Sequence, residues 1–200
     1  MGRRSDHSRE ELARLIITEG HRHMAEVGYA RFSAREVAKR IGYTIGTLYN
    51  VFGSHDRLVL AINTRTFQLW ADHLRRLLAA ADGDAIRTLV EAYFSFARDN
   101  RHAWMAIYDH RLPPDAVMPD EDVAQRSALT EIVMREVAAV LPDHAASQAP
   151  RLARSLIATV HGHCIFALNG TFALMGEDQP FETALARVRE AIAAAAAAPC

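Results

Sequence analysis

Cysteine is nearly missing from this chain, with Cys164 and Cys200 its only two in 200 residues. Two distant thiols make no disulfide framework, which excludes the stapled scaffolds of oxidising compartments and fits a reducing one. Long apolar runs are missing as well. The longest small-apolar stretch, AIAAAAAA near the C-terminus, is too short and too rich in alanine to cross a bilayer, so no membrane partner is expected. The opening MGRRSDHSREEL has an arginine pair with no apolar segment behind it, so it lacks the pattern of a secretory or twin-arginine signal, and a cytoplasmic chain is expected. Nor does charge of one sign prevail: 23 Lys and Arg stand against 24 Asp and Glu. With half its residues hydrophobic and 24% charged, the chain has ordinary globular composition and enough length to bury a core.

The near-zero balance conceals an uneven distribution. Residues 1–60 hold ten Lys or Arg against seven Asp or Glu, and residues 61–200 hold thirteen against seventeen. A surplus of three on the front segment is common on solvated faces, and gains meaning only if a docking motif for a polyanion lies there. The dominant period is helical. EELARLIITEGHRHMAEVG places Leu12, Leu15, Ile16, Met24 and Val27 on one stripe and stops at Gly28. FSAREVAKRIG opens with Ser33 and Glu36 in capping-box spacing, which predicts a short helix from about Ala34 to Gly42. Thr44 can cap a third helix running through Tyr49 to Phe52, and Gly53 ends it. Two short helices joined by a tight glycine turn are the layout of a helix-turn-helix, with Val37, Ala38, Ile41, Leu48 and Val51 as its buried contacts. An ordinary helical hairpin with a glycine connection shares these features.

The stretch from Leu15 to Leu58 carries more than spacing. Gly28, Ser33, the Val37-Ala38 pair, Gly42, Thr44, GTLY at 46–49, Phe52 and Leu58 together resemble the DNA-binding domain of the TetR family of bacterial transcriptional regulators, over about a quarter of the chain. The resemblance implies an all-α protein: a three-helix helix-turn-helix domain at residues 8–54 and a helical effector-binding and dimerisation domain at residues 55–200. It implies a homodimer on a palindromic operator in double-stranded DNA, commonly a repressor released by a small effector, with no cofactor. Carried over position by position, it suggests phosphate contacts at Ser33, Thr44 and Tyr49 and groove contacts at Arg35, Thr47 and Asn50. Hydroxyls and helix starts position proteins on phosphates, while Arg and Asn read bases, so the residue types suit these roles. Two positions depart from the pattern. His55 stands where the family commonly has lysine, making a phosphate contact there dependent on pH. Ile45 replaces a residue that is often polar, and could meet a thymine methyl or simply pack.

Beyond Gly53 the pattern predicts a long helix from about His55 to Ala80, with Leu58, Ile62, Leu69, Leu74 and Leu78 inward, then DAIRTLVEAYFSFARDN and RHAWMAIYDH. Three of the seven prolines fall within RLPPDAVMPDED, which must be a loop. A helix from there to about Leu141, a break at PDHAASQAP, a helix from about Pro150 to the Gly170 region and a last one from Pro180 complete the chain. Phe94, Phe96, Trp104, Met105, Tyr108, Met118, Met134 and Phe166 are expected to be mostly core. A subset near the proline-rich loop and the polar interruptions of TVHGHCIFALNG, namely Trp104, Tyr108, Met118, His161 and Asn169, is the expected ligand pocket, for an apolar or amphipathic effector. His161 and Cys164 share a helical face, but two ligands without a Cys-rich motif do not make a structural metal site, and no metal is expected. VHG at 160–162 resembles the WHG signature of one subgroup of the family, with Val160 in place of Trp. Gly162 and Gly170 are costly inside a helix, and close helix contact is the reason expected for them. The last two helices, rich in small side chains, are the expected dimer interface. A helical enzyme has only Asp109-His110 to offer, with no third member, and a DNA binder indifferent to ligands would need a tightly filled C-terminal core.

Overall fold

In the computed structural model, residues 7–113 and 117–198 are described, and they are helical with no strand among them. Arg3, Arg4, the centre of the proline-rich loop at 114–116 and Cys200 lie outside the described residues. The chain forms two compact units. The first comprises residues up to Phe67 together with Asn100–Val123, and the second comprises Gln68–Asp99 and the chain from Ala124 onward.

The first unit begins with α1 (Arg9–Val27), whose N-terminus is closed by a reciprocal capping box: the Glu11 amide donates to the Ser8 hydroxyl and the Ser8 amide to the Glu11 carboxylate. After Gly28 and a 3-10 turn at Tyr29–Arg31 come α2 (Ala34–Arg40) and α3 (Ile45–Phe52). Gly42 makes the turn between them at φ +77°, a conformation costly for any residue with a Cβ, and the Tyr43 amide donates back to the Ala38 carbonyl at 2.9 Å. The expected capping box on α2 is half formed. The Ser33 hydroxyl accepts from the Glu36 amide at 3.3 Å, but the Glu36 carboxylate turns forward to Arg40. α4 (His55–Ala80) contributes its first half to this unit, placing Leu58, Val59 and Ile62 in one core with Ile16, Met24, Val37, Ala38 and Leu48. At buried Gly20, an added Cβ would stand 2.5 Å from Ile62 Cδ1, so α1 and α4 approach closely there.

α6 (Arg101–Asp109) also belongs to the first unit, although the sequence reading put everything after residue 54 in a separate domain. Three polar ties hold it. Asn63 of α4 donates to the Ala106 carbonyl at 3.0 Å, His102 meets the Ala25 carbonyl at 3.0 Å, and buried His110 meets Asp56 at 3.3 Å. These ties run between residues far apart in sequence, and no local pattern reveals them.

The second unit contains the rest of α4, α5 (Ala85–Asp99), α7 (Asp120–Val140, from Ala124), α8 (Ala149–Leu168), α9 (Thr171–Met175) and α10 (Pro180–Ala197). Trp70 lies at its heart, stacked on Phe96 at 5.3 Å and edge-on to Tyr93 at 4.7 Å. α10 packs chiefly along α8 and also on α5. The expected break at PDHAASQAP is a 3-10 segment, Asp143–Gln148, and the Gly170 region separates α8 from the short α9. The expectation that Gly162 and Gly170 mark close helix contacts fails within the chain, since an added Cβ at either would meet nothing within 4 Å. Two residues expected in the core are instead exposed, Tyr108 and Phe166, at 39% and 42%.

Candidate DNA-binding surface

α3 is short and anchored by one face. Leu48 is fully buried, and Ile45, Val51 and Phe52 pack partly against the same core. That settles Ile45 as a packing residue in the free chain. The turn of 100° per residue then leaves Gly46 and Asn50 at the centre of the outward face, with Thr47 and Tyr49 on its flanks. Thr44 closes the helix start. Its hydroxyl accepts from the Thr47 amide at 3.3 Å and meets the Thr47 hydroxyl at 3.1 Å. The side chains of Arg35, Tyr49 and Asn50 find no hydrogen-bond partner among the described residues. His55, exposed at the first position of α4, rests its ring 6.0 Å from Phe32. The eight residues singled out in the sequence therefore all fall between the N-cap of α2 and the first turn of α4.

The positive charge of this segment is smaller than its composition suggests. Arg40 is held by three carboxylates, Glu26 at 2.7 Å, Glu36 at 3.2 Å and Glu19 at 3.3 Å, so its role is to tie α2 to α1. Arg40 holds the Glu26 carboxyl below the ordinary carboxylate range, and Arg22 with Arg40 does the same for Glu19. Arg22 is spent on Glu19, whereas Arg35 and Lys39, one turn apart on α2, stay exposed without an ion partner among the described residues. Lys39 and the exposed Arg57 were passed over in the sequence reading, and Lys39 could have been signalled by the face it shares with Arg35 one turn away. Gly46 stands in the GTLY stretch of the motif, at the start of α3. An added Cβ would stand in ordinary contact, 3.6 Å from Thr44 Oγ1, so nothing in the chain itself calls for glycine there.

The five residues expected to line a ligand pocket divide between the two units. Trp104, Tyr108 and Met118 belong to the first unit and His161 and Asn169 to the second. Trp104 is fully buried core, and the Asn169 carboxamide is taken by the Thr171 amide and hydroxyl at 3.0 and 2.6 Å, where it caps α9. The second unit instead has an apolar cavity of about 40 Å³, bordered by Leu89 and Tyr93 of α5, Val137 of α7, Leu156 and Val160 of α8 and Val188 of α10. His161 stands beside it, its Nδ1 2.9 Å from the Tyr93 hydroxyl, and burial pushes its pKa down. Cys164 is fully buried, and burial pushes its thiol up to about 12, so the free side chain stays protonated at neutral pH. Asp109-His110 lies in the first unit and the HGHC stretch in the second.

A helix-turn-helix with a capped, outward-facing third helix of polar residues defines the first unit as a DNA-binding domain of the kind found in transcriptional regulators. Residues 16–62 match the model for bacterial regulatory proteins of the tetR family, and residues 86–191 match the tetracyclin repressor-like C-terminal domain. The chain belongs to the TetR family of transcriptional regulators, and it is not an enzyme. HTH-type transcriptional regulators of Mycobacterium tuberculosis and Mycobacterium bovis are 25% identical to it over 124 residues, a match spanning 60% of this chain and 53% of each relative. Solved structures share the fold. A protein of unknown function from Rhodococcus sp. RHA1 superposes with a TM-score of 0.71 at 20% identity, over 96% of this chain and 97% of that one. The multidrug binding protein EbrR complexed with imidazole gives 0.61 at 20% identity, over 98% of both chains. No helix among the described residues is long and apolar enough to cross a membrane.

Proposed function

We propose that the chain acts as a homodimeric repressor on a palindromic operator, with α3 in the major groove. The observation that carries this reading is the outward face of α3 and α2, where Arg35, Tyr49 and Asn50 project polar groups that have no hydrogen-bond partner among the described residues. Ser33, Thr44, Tyr49 and His55 would hold phosphates, and Arg35, Thr47 and Asn50 would meet the groove. Exposed Gly46 in the first turn of α3 lets a phosphate approach the helix start, where backbone amides and the dipole favour an anion. Dimerisation through α8 and α10 is supported by the outer face of α8. Ser155, Ala158 and Gly162 form an exposed small-residue row that runs on to Phe166.

For an effector, the apolar cavity beside the Tyr93–His161 pair is the best-supported site, and it suits an apolar molecule with one polar group. At about 40 Å³ it is far below the roughly 300–1000 Å³ of drug-sized sites, so α5, α7 and α8 would have to part for a ligand of that size. The same small volume favours a second reading, a DNA-binding regulator indifferent to small molecules. A thermal-shift screen of apolar small molecules separates the two, because only the first admits a ligand that raises the melting temperature and weakens DNA binding. The DNA reading is tested by substitution. Tyr49→Ala should weaken binding to all sequences, and Arg35→Ala should relax the preference at one base position of each half-site. Unchanged affinity and preference in both variants would refute it.

A further inference from the structure

The N-terminus of α1 grips both ends of α3. At one end, His7 Nδ1 and the Tyr43 hydroxyl share a hydrogen bond of 3.1 Å, one residue before the Thr44 cap. At the other, the Arg9 guanidinium donates to the carbonyls of Asn50 and Val51 at 3.4 and 3.3 Å. The last four carbonyls of any helix lack partners within it. In α3, Gly53 takes that of Tyr49, and the final turn has no basic residue to take the next two. Arg9 supplies that missing cation from another helix, where it also suits the negative end of the α3 dipole. His7 and Arg9 flank Ser8, which the capping box fixes to Glu11, so both arms of the grip start from an ordered point.

We propose that His7 and Arg9, acting through Tyr43 and the α3 carbonyls, are positioning residues that set the angle at which the recognition helix meets DNA. An eight-residue helix is too short to hold itself, and apart from fully buried Leu48 its apolar side chains pack only partly against the core. Base readout needs side chains placed within about 0.5 Å, whereas phosphate attraction tolerates displacement. The grip therefore governs discrimination between sequences more than affinity for DNA as such.

The inference rests on the DNA-binding reading, and its test keeps the two apart. Affinity for a selected operator and for an unrelated duplex is measured by fluorescence anisotropy over a range of salt, with melting temperatures, for the full chain and for Arg9→Met, Arg9→Lys and Tyr43→Phe. Arg9→Met and Tyr43→Phe should each lower the ratio of operator to unrelated affinity roughly three- to tenfold, the worth of one hydrogen bond, with the unrelated affinity and its salt dependence unchanged. Arg9→Lys, which keeps a cation at the helix end, should recover much of the ratio. If Arg9→Met weakens both duplexes equally and lowers the salt slope by about one, Arg9 is a phosphate contact and the proposal fails. A drop in melting temperature with an unchanged ratio refutes it equally, by making the contacts structural. Should the unaltered chain itself prefer no sequence, it is the DNA-binding reading that falls.

Discussion

His21 stands on the inner side of α1 with its Nε2 buried and without a hydrogen-bond partner. Burial, aided by the charge of Arg65, pushes its pKa down from 6.5 to about 4. The sign of the consequence follows from the direction. Between pH 6.5 and 4 the unfolded chain takes up a proton that the folded chain refuses, so stability falls as pH drops through that window and is unaffected above it. The loss is on the order of 2 kcal/mol once partial exposure of the ring is allowed for. Urea unfolding at a series of pH values should show the decline in the natural chain and a flatter profile in His21→Gln. Equal slopes would mean that the ring is solvated in the folded state. Glu19 and Glu26, both paired with Arg40, act in a lower range. Their pKa values are depressed, so their stabilisation is full above 4.5 and disappears as pH falls through the lowered values.

Helices were legible where their signals are local. The bounds of α4, the Thr44 cap and the Gly42 turn follow from side-chain period and capping chemistry that a window of a few residues contains. The outward-facing residues of α3 were legible for a related reason, since a short helix with one apolar side fixes which residues must face outward. What depends on distant partners was not legible. The Glu36 carboxylate left its capping box because Arg40 competes for it, and α6 joins the first unit through Asn63, His102 and His110, whose partners lie far off in sequence. Gly162 lies between these cases. Sequence flagged its cost, yet nothing within its own chain accounts for it. If α8 packs against a second copy, Gly162→Ala should raise helix stability by up to about 1 kcal/mol with little effect on assembly. Gly162→Leu should convert the dimer to monomer in sedimentation and abolish operator binding. A dimer that survives the leucine would place the interface elsewhere.

The smaller unit presents α3 with a polar outer face, and the larger unit holds a narrow apolar cavity. One recognition helix reads only a few base pairs, which is too little to specify a site. Two related by a two-fold axis double the contact and impose symmetry on the DNA, with half-sites about 34 Å apart or somewhat more. Selection of duplexes from a random library by the purified full-length chain measures this directly. The expected outcome is a single enriched motif that is an inverted repeat with that half-site spacing, relaxed at one base position of each half-site when Arg35 is replaced by Ala. Enrichment of no sequence, or of an asymmetric site bound by one copy, would contradict the account.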